Sequence, residues 1–174
     1  MRRLAAAVIV VALLAAGVTS VLGGELRIYL VEDPLPYDEI FSLADLSPLH
    51  LKEPALLTSR DIESYEWATH TMKLKPECGM RLFTTFAQRT RHPMISHPFV
   101  VAVDSLRIYA GALNGMYSSW SASNVPRIGI PFEDAPVSAL RIAGATEGRW
   151  KFNDPRNDPR IKAALEQAGV LVDE

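Results

Sequence analysis

Four histidines, one cysteine, a run of serines and two neighbouring carboxylates are the groups of this sequence with chemistry beyond packing. His50, His70, His92 and His97 are the candidate metal ligands. Zinc sites present ligands from one helix face, as in HExxH, or from paired cysteines, and neither spacing occurs here. His92 and His97 sit in a stretch broken by Pro93 and Pro98, so helical presentation fails and no metal or other cofactor is expected. The serines between 118 and 123 lack a GxSxG setting, and a serine without a base is not a nucleophile. Cys78 has no evident base beside it and reads as a small apolar core residue; an assembly role through it predicts a disulfide-linked dimer. Asp61 and Glu63, with Asp104 further on, are the carboxylates that a small secreted hydrolase or glycan-processing enzyme would use. Acid–base work also needs a pocket and a third partner, and without them such a pair is far more often a turn cap and a solvated charge, the preferred reading of Asp61 and Glu63.

Aromatic residues offer the other candidate site. Tyr109, Tyr117 and Trp120 either form an exposed platform for a glycan, peptide or partner protein, or cover the open face of a sheet. Trp67 and Trp150 read as core residues.

The 174 residues begin with Met1-Arg2-Arg3 and an apolar or small run from Leu4 to Val18. A basic start followed by such a run engages an export machine, with the arginines held on the cytoplasmic side. Residues 1–23 are therefore expected to be a signal peptide, or else an uncleaved membrane anchor, since a span takes about 20 apolar residues. Cleavage is the preferred outcome because the core is rich in alanine and small residues follow it. Either way residues 24–174 are expected in the periplasm or outside the cell, as one domain large enough for a real core. Losing Arg2 and Arg3 takes the formal charge from −2 to about −4, and no basic stripe is visible. A nucleic-acid partner is therefore not expected, because nothing is arranged to neutralise phosphates.

The elements that would hold these groups follow from periodicity. Glu25 to Val31 alternates as a strand, stopped by Pro34 and Pro36, and Tyr37 to Leu43 carries a short helical turn. Residues 46–59 read as a packed loop with an extended piece at Leu49 to Leu51, ending in a turn at Thr58 to Asp61. Tyr65 to Leu74 alternates through aromatic and β-branched residues and predicts one strand. Pro76 suits the first turn of a helix that lays Gly79, Leu82, Phe83 and Phe86 on the sheet. Phe99 to Val103 is apolar enough for a central strand, and Asp104-Ser105 turns it into a hairpin with Leu106 to Ala110. Asn114 to Asn124 reads as loop, Arg127 to Ile130 as a strand, and Glu133 to Ala143 as a second helix with Pro136 in its first turn, ended by Gly144. Asp158 caps a last helix with Pro159 at its first position and Gly169 as its stop, and Val170 to Val172 adds a strand.

Asp61-Ile62, Lys73-Leu74-Lys75-Pro76, Leu82-Phe83-Thr84-Thr85-Phe86, Phe99 to Asp104 and Arg107-Ile108-Tyr109 occur in an order that resembles the head subdomain of the first periplasmic domain of SecD and SecDF. Ile128-Gly129-Ile130 and Phe132 continue it, so the likeness runs over residues 57–143. It implies an α+β fold, a mostly antiparallel sheet with helices packed on one face in a ferredoxin-like arrangement. It also implies a non-catalytic module of the cell envelope that contacts protein chains or another envelope component. Asp104-Ser105 stands where the family has Asp-Gly, the segment from Gly115 to Ser121 replaces its glycine-paired stretch, and its membrane-spanning bundle is absent from the match. Proton-driven translocation is therefore not carried over. Contact with a membrane is expected only through an uncleaved N-terminal segment.

Overall fold

In a computed structural model the chain is described over residues 24–32, 37–89, 97–115, 125–130, 136–144 and 154–172. Its strands are β1 (Leu26–Leu30), β2 (Leu57–Thr58), β3 (Ile62–Glu66), β4 (Thr71–Leu74), β5 (His97–Val103), β6 (Leu106–Gly115), β7 (Arg127–Ile130), β8 (Ala139–Ala143) and β9 (Leu171–Val172). The helices are α1 (Tyr37–Ser42), α2 (Pro76–Arg89) and α3 (Pro159–Gln167), with 3₁₀ turns at Ser59–Asp61 and Pro155–Asn157. The fold is α+β, as expected, and among the described residues one sheet runs β2-β1-β5-β6-β7-β8-β4-β3-β9. Neighbours are antiparallel except at β6 with β7 and β3 with β9. The sheet curls, for α3 touches β1 and β5 near one end and β9 at the other.

β5 lies between β1 and β6 in the sheet. It pairs with β1 from Phe99 to Val103 and with β6 from His97 to Val103. Phe99 and Val101 point into the main core, with Ile28, Tyr65, Met72, Leu82, Ile128 and Leu165 around them. Val100 points the other way, into a smaller core with Ile40, Leu46 and Leu49. A central strand covered on both faces is what its unbroken apolar run dictates. α1 therefore packs on the face opposite to α2 and α3, which corrects the expectation of helices on one face. The tight turn at Asp104, with φ of 52°, closes the hairpin as foreseen, because aspartate tolerates the left-handed region better than most residues. Its carboxylate accepts from the Glu25 amide at 2.8 Å, tying the turn to the start of β1.

Two elements depart from the sequence reading. Tyr65 to Leu74 is a hairpin, not one strand: β3 and β4 are joined by a turn over residues 67–70. Its left-handed residue is His70, with φ of 54°, so the turn lacks the glycine or proline that signals one. The expected helix between Glu133 and Ala143 is not formed where it is described: residues 136–138 carry no regular element and Ala139–Ala143 is the strand β8. Leu140 and Ile142 are buried while Ala139 and Arg141 are exposed, and this period of two overrides the proline–glycine punctuation that suggested a helix. Ser138 at the start of that strand accepts from the Leu74 amide at 2.9 Å. α2 buries Cys78, Gly79 and Leu82, with Phe83 only partly covered. Gly79 is required there, for a Cβ would lie 2.2 Å from the Val137 carbonyl oxygen.

Candidate functional site

Arg107 on β6 fixes the most site-like surface of the molecule. Its Nη1 donates to the carbonyls of Leu46, Ser47 and Leu49, at 2.9 Å for Ser47 and 2.8 Å for Leu49. One guanidinium thus holds the connection after α1 against the sheet. A concavity opens on each side of that connection. The first, of ≈ 310 Å³, is walled by Ile40, Leu43 and Leu46 from α1 and its exit, by Ile108 and Ala110 of β6, and by Val125. The second, of ≈ 830 Å³, is bordered by Arg27, Tyr29, His50, Asp104 and Arg107. Their linings meet in sequence at Arg107 and Ile108 of β6, the first lined by apolar residue types and the second carrying charged ones. Leu43 is 37% exposed at the rim of the apolar cleft. In the charged cleft the Arg27 guanidinium is held cationic by hydrogen bonds to the Tyr29 hydroxyl at 3.3 Å and to Glu25 at 2.8 Å, which raise its pKa.

Of the expected contact residues, Tyr109 lines the apolar cleft but is only 6% exposed, its ring edge-on to Phe99. It is a core side chain, the alternative that the sequence left open, and not part of an exposed platform. Burial pushes its phenol well above the ordinary value. Tyr117, Trp120, Trp150 and His92 lie outside the described residues. Trp67 packs against the main core as expected.

The carboxylates are each engaged. Asp61 accepts from the Thr58 amide at 2.8 Å, closing a capping box on the 3₁₀ turn, and pairs with Arg81 at 2.9 Å. Glu63 meets Lys73 at 2.9 Å on an exposed face. Cys78 is buried, and burial, reinforced by Asp61 and opposed by Arg81, pushes its thiol up to about 11. Such a thiol stays protonated at neutral pH and is closed to another chain. Among the described residues no three His, Cys, Asp or Glu side chains stand where they would hold a metal ion.

A second cluster was not foreseen. His70 is 4% exposed, and its Nδ1 lies 3.2 Å from the Tyr65 hydroxyl. Its ring is edge-on to Trp67 at 5.5 Å, and Lys162 sits over the far indole at 5.9 Å. Burial, with Arg156 next, lowers its pKa to about 4. Arg156 is gripped by Asp154, with Nε to Oδ1 at 2.9 Å, and donates to the Ile142 carbonyl at 2.8 Å. Burial works against the Asp154 carboxylate, but the hydrogen bonds and charge of Arg156 hold it below the usual range. The doubled Asn-Asp-Pro-Arg between 153 and 160 is the sequence feature that could have drawn attention to it.

Compared with known proteins, the chain matches no family model, no curated protein and no solved structure. No helix among the described residues is long and apolar enough to cross a membrane.

Proposed function

We propose that this chain is an exported, non-catalytic binding module of the cell envelope that holds an extended stretch of another protein along the Arg107 surface. The observation that carries this reading is the pair of concavities beside the connection held by Arg107, one lined by apolar residues such as Leu43 and Ile108 and the other bordered by Arg27 and Arg107. An extended peptide alternates apolar and polar side chains and is suited to such a pair of sites. The signal-like residues 1–23 and the resemblance of residues 57–143 to the SecD head support the same reading. The finer fold assignment, a ferredoxin-like arrangement, rests on that resemblance and not on the strand order. Tyr117 and Trp120 are retained as contact residues on their sequence alone, because aromatic side chains give large contact area at low entropy cost.

The test is retention of unfolded polypeptides and of envelope proteins by immobilised residues 24–174, read as an equilibrium constant. Leu43→Glu alters an exposed rim position and is expected to weaken retention at least tenfold with the fold intact. Tyr117→Ala/Trp120→Ala should weaken it further. Equal retention by all three proteins, or none by the unaltered chain, refutes the assignment.

A further inference from the structure

His70 occupies the point at which the sheet changes partners. β8 pairs with β4 up to Arg141, opposite Thr71, and with β7 from Ile142, opposite Ile128. Both backbone groups of Ile142 are taken by the polar cluster: its amide donates to the His70 carbonyl at 3.0 Å, and its carbonyl accepts from Arg156. Arg141 in turn donates from Nε to the Thr69 carbonyl at 3.3 Å. The turn 67–70 thus clamps β8 at its handover, and it is held in a left-handed conformation at a residue that is not glycine.

We propose that His70 is an acid-sensitive latch on this seam: protonating its ring loosens the turn 67–70 and the Ile142 contact while the β1–β5–β6 ladder stays closed. Burial first, and then the Arg156 and Arg141 cations, make the neutral ring the stable form, with the Asp154 carboxylate acting the other way. β3 supplies the Tyr65 hydroxyl and Glu66, whose carboxylate is engaged by Thr69 at 2.6 Å. β8 supplies Arg141, the 3₁₀ turn supplies Asp154 and Arg156, β6 supplies the buried Tyr109 phenol, and α3 supplies Lys162. The Asp154 carboxylate favours the charged ring, but Arg156 already donates to both of its oxygens. Protonation puts a proton on both ring nitrogens, so the Tyr65 hydroxyl can then only accept from Nδ1. The lowered pKa of about 4 agrees with a closed state that rejects the proton and an open state that accepts it near the ordinary value. This device is independent of the binding role.

Amide exchange in the full chain, corrected for intrinsic rates, tests it at pH 7 and pH 5. Protection at Ile142 and at the turn 67–70 is expected to fall roughly 20-fold, as linkage requires for a histidine shifted from 6.5 to 4, and at pH 5 Val101 in β5 stays better protected than Ile142. His70→Asn, chosen because asparagine accepts positive φ, should abolish the pH dependence. An equal fall in His70→Asn, or protection at Ile142 no lower than at Val101 at pH 5, overturns the latch. Should that variant not fold, NMR titration of the ring in the unaltered chain decides: an ordinary pKa near 6.5 overturns it, and one well below supports it.

Discussion

Asp154-Pro155-Arg156 and Asp158-Pro159-Arg160 are the same three residues four positions apart, and locally they fold alike. In each, the aspartate caps a helical turn with proline at its first position, and the arginine brings both its amide and its guanidinium to that carboxylate. The amide distances are 3.0 Å at Arg156 and 2.9 Å at Arg160. Their surroundings differ. The side chains of Arg156 and Asp154 are each 15% exposed, and Arg156 reaches Ile142 in β8; the Arg160 side chain is 50% exposed and ends in solvent beside Asp158. Capping is thus a property of the tripeptide, whereas bracing the sheet is a property of the place where the first copy lands.

Removing the buried copy should cost most. Arg156→Ala leaves Asp154 with less of its hydrogen bonding and the Ile142 carbonyl without this donor, and is expected to destabilise by about 3 kcal/mol in urea denaturation. A loss no larger than that of Arg160→Ala would show that the brace contributes nothing and that the two copies are equivalent.

Acid sharpens the same comparison through His70, which neighbours the first copy. Its folded pKa is depressed to about 4, so below pH 6.5 the unfolded chain binds a proton that the folded chain refuses. Stability contributed by the neutral ring is complete above pH 6.5 and is lost as pH falls towards 4. Between pH 7 and pH 5 this amounts to about 2 kcal/mol on the pH scale of 1.36 kcal/mol per unit. Asp154, also held low, adds to the loss at more acid pH. A denaturation midpoint that stays level across this range in the unaltered chain would contradict the assignment.

The cap alone is smaller. Asp158→Ala removes the acceptor for the Arg160 amide at the start of α3 and is expected to cost about 1 kcal/mol. The helix buries Ile161, Ala164 and Leu165, so packing holds it once the cap is gone. Loss of the whole helix signal by circular dichroism would mean that the cap, not the packing, carries α3.

What the sequence made legible follows the same division between local and long-range causes. The β5–β6 hairpin, the Asp158-to-Gly169 helix, the 3₁₀ cap at Asp61 and the α2 start at Pro76 are each announced by residues next to one another. They appear where expected. The β3–β4 turn was hidden because Trp67-Ala68-Thr69-His70 carries strand-forming residues, and its left-handed His70 is stabilised by Tyr65 and by β8, far away in sequence. β8 was hidden because Pro136 and Gly144 punctuate it like a helix, while its pairing with β4 joins residues about seventy positions apart. The Arg107 surface had no sequence signal beyond a polar position in a strand, since its partners are the carbonyls of Leu46, Ser47 and Leu49, and carbonyls carry no side-chain signature.

The smallest effect belongs to Arg160 itself. Its guanidinium makes good geometry with Asp158, Nε to Oδ1 at 2.8 Å, and this contact raises the arginine pKa and lowers that of the carboxylate. Yet the arginine is half exposed, so water and salt replace most of what the pair supplies. Arg160→Ala is expected to change stability by less than about 0.5 kcal/mol, and the change should shrink further in 1 M salt. The corresponding salt dependence at Arg156 should be weaker, because its partly buried pair is shielded from counter-ions. Equal salt dependence at the two sites would remove burial as the cause of their difference and leave only the hydrogen bond from Arg156 to Ile142 to explain it.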